Sequence, residues 1–155
     1  MQTARAIVSA GYGIVYGGGS VGLMGILADT ALECGGEVIG VIPNALAIAE
    51  IAHEGLAQLH IVATMHERKA LMNDFSDAFI ALPGGFGTMD ELCEVLSWRQ
   101  LGIHDKPIGL LNQGGYYDAL LRLFDSMLVE GFLTEQNRAL LIDEREIEPL
   151  LRRLF

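Results

Sequence analysis

The sequence predicts an α/β fold, an open parallel sheet with helices on both faces, and three observations predict it. Short β-branched or apolar runs alternate with longer helical patterns along 155 residues, which is the signature of βαβ units. Two glycine-rich stretches each fall between an apolar run and a helical pattern, at the carboxyl ends of strands where such sheets bind ligands. Hydrophobic residues make up 51% of the chain and charged residues 19%, which supports a buried core and excludes disorder.

Taken in order, residues 2–10 read as the end of a helix stopped by Gly11. Strands are expected over 13–16, 38–42, 59–62, 78–82 and 107–111. Helices are expected over about 23–34, 65–75, 89–101 and 117–130, with a short one near 144–154 closing the chain. No repeat, linker or composition break appears, so residues 1–155 are expected to form a single domain. An open α/β sheet normally begins with a strand, and its first strand is often central. The helical start therefore suggests that a strand and its following loop are missing from this chain.

Charge narrows the partners. The chain carries 20 acidic and 10 basic residues, a net charge of −10, and never more than two basic residues in a row. Nonspecific nucleic-acid binding and anionic-membrane binding are disfavoured. An anionic ligand would have to be held by oriented backbone N–H groups and a few placed cations. The two cysteines, Cys34 and Cys93, sit in helical patterns without metal-like neighbours and read as small apolar groups in a reducing compartment. No apolar run reaches the ~18 residues needed to span a bilayer, and no signal peptide is evident. A cytoplasmic protein is expected.

The first glycine stretch, Gly17-Gly18-Gly19-Ser20-Val21-Gly22, has the spacing of a dinucleotide fingerprint between a strand and a helix. Glycines there let backbone approach a phosphate at a helix N-terminus, although they also serve tight strand-to-helix turns. A dinucleotide site wants a carboxylate near the end of the next strand. Here that strand ends Val41-Ile42-Pro43-Asn44, so NAD and FAD are disfavoured and a phosphate-only role survives. No Gly-Lys-Ser/Thr follows either glycine run, which excludes a P-loop.

The second stretch, Pro83-Gly84-Gly85-Phe86-Gly87-Thr88, repeats the strand-to-helix context. Thr88 and Glu91 have capping-box spacing, which is one reading of Glu91. A phosphate at the same helix end would set Asp90 and Glu91 beside negative charge. In that case Glu91 becomes a candidate for acid–base or cation-stabilising work. Thr64 and Glu67 show the same box, and Arg68 and Lys69 follow where cations oppose the helix dipole. Both cations are either solvated or there to meet an anion. In a chain whose lysines are Lys69 and Lys106, the anion reading is favoured for Arg68. His66 reads as a surface residue of the capping turn, and His53, His60 and His104 lack metal-ligand spacing. No metal is expected. Trp98, Met24 and Met72 read as packing residues.

Several of these stretches together resemble one family, the LOG ("Lonely Guy") cytokinin-activating phosphoribohydrolases, also labelled lysine decarboxylases. The match runs through Tyr16-Gly17-Gly18-Gly19, Gly22-Leu23-Met24-Gly25, Met65-His66-Glu67-Arg68-Lys69 and residues 83–91. It continues through Ser97-Trp98-Arg99-Gln100-Leu101-Gly102 and Lys106-Pro107 to Gly131-Phe132. The resemblance implies a Rossmann-like fold, a homodimer and no cofactor. It implies that Arg68 and Glu91 are catalytic and that Gly84, Gly85, Gly87 and Thr88 bind a 5′-phosphate. Met65, Lys69 and the Gly17, Gly18 and Gly19 loop would complete the nucleotide site. The implied substrate is a nucleoside 5′-monophosphate, an N6-substituted adenine nucleotide or AMP, from which free base is released. The family's first strand, with its Gly-Ser-Ser loop, has no counterpart here.

Two other readings compete. A decarboxylase using pyridoxal phosphate needs a Schiff-base lysine and a ring site, and with only Lys69 and Lys106 to offer, the chain suits it poorly. A nucleotide sensor or a carrier of a phosphorylated cofactor would keep both glycine stretches, but it has no need of both Arg68 and Glu91. A nucleosidase acting on a broader range of monophosphates is not separated from a cytokinin-specific enzyme by sequence.

Overall fold

The strands form two ladders, and within each one every strand pairs in parallel with the next along the chain. The computed structural model describes residues 2–47, 52, 53 and 55–155, in two units, Met1–Ser76 and Asp77–Phe155. Each unit holds one three-stranded parallel sheet whose strand order follows chain order. The α/β class and the parallel pairing agree with the sequence reading.

The first unit runs α1 (Gln2–Ser9), β1 (Ile14–Tyr16), α2 (Gly22–Glu33), β2 (Val38–Pro43), α3 (Asn44–Ala47), β3 (Gln58–Val62) and α4 (Met65–Phe75). Its core joins Ile14, Tyr16 and Val38 of the sheet to Ala4, Ala28 and Ala31 of α1 and α2. The three alanines are fully buried, and their small side chains let the helices lie close to the strands. The Tyr16 hydroxyl is buried there without a hydrogen-bond partner. Burial first and the Asp29 charge second push it up to about 12, so it stays protonated.

The second unit runs β4 (Phe79–Ala81), α5 (Phe86–Gln100), β5 (Ile108–Leu111), a 3-10 turn (Gln113–Gly115), α6 (Asp118–Val129), α7 (Glu135–Arg138), β6 (Leu141–Glu144) and α8 (Ile147–Leu154). Alternate residues of β5 serve its two faces. Ile108 and Leu110 pack with Leu92 of α5 and Phe124 of α6, whereas Gly109 lies against Leu150 and Leu154 of α8. Helix α8 buries Ile147, Leu150, Leu151 and Leu154, an i, i+3, i+4, i+7 stripe.

Helices α1, α2, α5 and α6 end in the same motif. Each is followed by a glycine with positive φ, Gly11, Gly35, Gly102 or Gly131, and the residue after it returns its N–H to a carbonyl of the last turn, as Tyr12 does to Ile7 at 3.2 Å. This is the Schellman cap, and it accounts for four of the glycines.

Two boundaries differ from the sequence reading by more than a residue. Residues 141–144 form β6, paired with β5 from Leu141 against Ile108 to Glu144 against Leu111, so the closing helix starts at Ile147 and not near Glu144. Helix α5 starts at Phe86, three residues before the expected Met89. Among the described residues, no helix is long and apolar enough to cross a membrane.

Candidate functional site

In the first unit two of the candidate residues, Gly17 and Arg68, meet where β1 ends, beside Val41 of β2. The expected capping box at α4 is present: the Glu67 N–H donates to Thr64 Oγ1 at 3.1 Å, and the Glu67 carboxylate accepts the Ala63 N–H at 2.8 Å. That cap fixes where α4 begins and so places Met65 through Lys69 in its opening turns. Arg68 donates Nε to the Val41 carbonyl at 3.2 Å, which locks the plane of its guanidinium. The Nη2 edge lies where a Cβ on Gly17 would be. Gly17 is therefore the residue that makes room for Arg68. Arg68 and Lys69 are partly buried, whereas Met65 and His66 are exposed.

Gly18 and Gly19 are likewise enclosed by the protein, whereas Gly22, exposed at the start of α2, has nothing within 4 Å of a Cβ position. Gly17, Gly18 and Gly19 are all buried. Gly18, at φ 76°, has Ile42, Leu59 and the Val41 backbone within 3.3 Å of a Cβ position, and its carbonyl accepts the His53 N–H at 3.1 Å. Gly19 bridges to Ala52. A Cβ on Gly25 would run into the Ser20 carbonyl, so α2 starts tightly against the loop that precedes it. His53 holds the back of this loop: its Nδ1 accepts the Gly55 N–H at 3.1 Å, so its Nε2 donates to Asp29 at 2.9 Å.

In the second unit the other glycine stretch is built differently. Gly85 is the extended N-cap of α5, and Met89 donates to its carbonyl at 3.1 Å, the first bond of the helix ladder. Thr88 is therefore a first-turn residue and not the cap, which removes the capping-box reading of Glu91. The correction has a simple cause, since glycine is itself an acceptable N-cap. Thr88 Oγ1 instead packs against Gly84, where any Cβ would run into it. A Cβ on Gly85 or on Gly87 would meet no heavy atom within 4 Å. The opening N–H groups of a helix have no carbonyl one turn before them, and here they start a 15-residue helix. Glu91 follows in the second turn, partly buried, with exposed Asp90 before it.

The structure also brings in residues that sequence reasoning missed. Tyr116 donates its hydroxyl to the Gly84 carbonyl at 2.7 Å, and Tyr117 donates to the Leu82 carbonyl at 2.6 Å. The only sequence signal was two adjacent tyrosines after Gly114 and Gly115 at a predicted helix start. His104 is structural: Nδ1 accepts the Lys106 N–H at 3.2 Å and Nε2 donates to the Val95 carbonyl at 3.0 Å. Burial, above all, lowers its pKa and keeps it neutral. Cys34 is half-buried as expected, but Cys93 is exposed on α5. Partial burial first and Asp90 second push the Cys93 thiol up, away from the reactive thiolate.

Parallel strands feeding glycine-bordered helix starts define the class, an α/β protein built on parallel sheets. The family model described as "Possible lysine decarboxylase" matches residues 24–154. A rice (Oryza sativa subsp. japonica) protein described as "Probable cytokinin riboside 5′-monophosphate phosphoribohydrolase" is 53% identical over 154 residues, covering 99% of this chain and 69% of its own length. A cytokinin riboside 5′-monophosphate phosphoribohydrolase of Arabidopsis thaliana is 49% identical over 99% of this chain and 72% of its own length. One from Rhodococcoides fascians is 53% identical over 93% of this chain and 73% of its own. The chain belongs to this family, the LOG phosphoribohydrolases, which are hydrolases. Among solved structures, a molybdenum cofactor binding protein from Rippkaea orientalis shares the fold, with a TM-score of 0.71 at 20% identity over 98% of this chain and 81% of that one.

Proposed function

We propose that this chain hydrolyses the N-glycosidic bond of a purine nucleoside 5′-monophosphate, a cytokinin-type N6-substituted adenine nucleotide or AMP, releasing free base and ribose 5-phosphate. The observation that carries this reading is the open start of α5, where Gly85 and Gly87 present backbone with no side chain and no neighbouring atom in the way. A phosphate there would meet oriented N–H groups and the positive end of the helix dipole. The names of relatives that are about half identical support the same chemistry.

In this proposal Gly84, Gly85, Gly87 and Thr88 bind the 5′-phosphate, and Met65 and Lys69 contribute to nucleotide binding. The buried Gly17, Gly18 and Gly19 loop lines the nucleotide from behind, Gly17 through the guanidinium it admits. Cleavage passes through an oxocarbenium-like state. Glu91 stabilises that cation and positions or deprotonates the attacking water. The water oxygen bonds to the anomeric carbon as the ribosyl–nitrogen bond breaks, and a proton is delivered to the departing base. Arg68 balances the negative charge that accumulates on the base or holds the ribose and phosphate. Binding the remote phosphate turns the sugar toward the reacting groups, which removes orientational entropy from the barrier.

The protein is proposed to act as a homodimer in the cytoplasm. Exposed apolar residues such as Val129 and Phe132 support association, and the free thiols suit a reducing compartment.

Arg68→Ala and Glu91→Ala are each expected to lower adenine release from AMP by at least about a hundredfold, with circular dichroism and melting unchanged. Base release is measured by chromatography, and a nucleotide panel ranks the accepted bases. Full activity in both variants overturns the assignment.

A further inference from the structure

The second glycine stretch combines two properties that work against each other. Gly84 and Gly85 carry no side chain that would block a ligand, but adjacent glycines are also the least stiff backbone a chain can have. Something outside the pair must fix which way its peptide N–H groups point.

Two tyrosines ahead of α6 supply that constraint. The Tyr116 hydroxyl reaches the Gly84 carbonyl at 2.7 Å, and the Tyr117 hydroxyl reaches the Leu82 carbonyl at 2.6 Å. The peptide unit is planar and trans, and no cis bond occurs among the described residues. Holding the Gly84 carbonyl toward Tyr116 therefore directs the Gly85 N–H to the opposite side. Accepting a hydrogen bond at the carbonyl also polarises the N–H of the same peptide. The Leu82 bond fixes the chain as it leaves β4, just before Pro83, which has no N–H to offer.

The tyrosines are held in turn. Asn112, 3% exposed, accepts the Tyr117 N–H at 2.7 Å and donates its side-chain amide to Asp118 at 2.7 Å. Its own backbone N–H goes to the Glu144 carbonyl at 2.7 Å, which ties the assembly to the end of β6. The two rings meet edge to face with centroids 4.9 Å apart. Burial first and Tyr116 second push the Tyr117 hydroxyl up, against a lowering backbone hydrogen bond at Gly84.

We propose that Tyr116 and Tyr117 are positioning residues for phosphate binding: Tyr116 aims the Gly85 N–H at the ligand, and Tyr117 sets the exit of β4 that carries it. This rests on reading the second glycine stretch as the phosphate site. Tyr116 is largely exposed and its ring packs on Tyr117, so Tyr116→Phe removes a hydroxyl and leaves the ring contact.

The test uses the full chain and calorimetric binding of ribose 5-phosphate, AMP and free adenine, beside steady-state kinetics with AMP. Tyr116→Phe is expected to weaken ribose 5-phosphate and AMP about tenfold while adenine affinity stays within about twofold. KM for AMP should rise about tenfold with kcat nearly constant, as for loss of binding common to ground and transition states. Tyr117→Phe should act in the same direction. Unchanged phosphate-ligand affinity, or equal weakening of adenine, overturns the proposal. A wild-type chain that binds AMP but releases no base refutes the hydrolase reading alone, and the tyrosine comparison is then decided by binding. A wild-type chain that binds neither ribose 5-phosphate nor AMP overturns both.

Discussion

The two glycine stretches look alike as sequence and differ as structure. In the first, Gly17 and Gly18 are buried and the space their missing side chains leave is taken up by Arg68 and by Ile42 and Leu59, while Gly22, at the start of α2, is open. In the second, Gly85 and Gly87 border nothing within 4 Å of a Cβ position. The pattern reports only that side chains are excluded. Whether protein or ligand fills the vacated space is decided by what the fold packs against each position.

Alanine substitutions sharpen the contrast, because they should move stability in opposite directions. At Gly18, positive φ and contacts at 3.1 Å combine backbone strain with overpacking, and Gly18→Ala is expected to cost about 2–5 kcal/mol in urea unfolding. At Gly87, the second residue of α5, alanine is the better helix former, so Gly87→Ala should raise stability by about 0.5–1 kcal/mol while weakening AMP binding. A loss of stability at Gly87 equal to that at Gly18 would erase the distinction.

Gly17→Ala probes the link between the first stretch and the chemistry. The atoms a new Cβ would meet are the far end of a flexible side chain, that of Arg68, which can swing away. Stability should change by less than about 1 kcal/mol, whereas base release from AMP should fall by about a hundredfold, toward the Arg68→Ala level. Wild-type turnover in Gly17→Ala would show that the guanidinium does not need its seat.

A smaller effect belongs to Gly85→Ala. Open space around its Cβ position predicts a stability change within about 0.5 kcal/mol by thermal melting. Ribose 5-phosphate affinity should fall a few-fold as the methyl crowds the cradle, and an affinity equal to wild type would place the phosphate elsewhere.

How much of this was legible depended on whether local or tertiary forces set each element. Helix α4 spans the expected 65–75 because Thr64 and Glu67 cap it through their own side chains, a signal carried within four residues. The start of α5 was misread because Thr88 and Glu91 imitate that box, whereas a glycine, which announces nothing by side chain, is the actual cap. Strand β6 was missed because the apolar run Ala139-Leu140-Leu141-Ile142 only half overlaps it, and Asp143 and Glu144 read as surface. It exists through its pairing with β5, and Arg153 meets the Glu144 carboxylate at 2.8 Å and the Asp143 carbonyl at 3.3 Å. At the site, Arg68 could be singled out by its charge at a helix start, but its anchoring to Val41 lies 27 residues away in sequence and leaves no local trace. The two tyrosines were equally silent, since their hydroxyls act on backbone more than 30 residues earlier.

In both sheets the strand order is the chain order, and that has a kinetic consequence. Within each sheet a new strand pairs with the strand made just before it, so each closure spans only the segment between two successive strands, which limits the entropy of loop closure. A ribosome releasing the chain from its N-terminus would let β1, β2 and β3 zip in sequence while the later strands were still being made, and then β4, β5 and β6 in the same way. Neither sheet leaves a strand waiting for a distant partner, which shortens the time that an unpaired edge is open to aggregation.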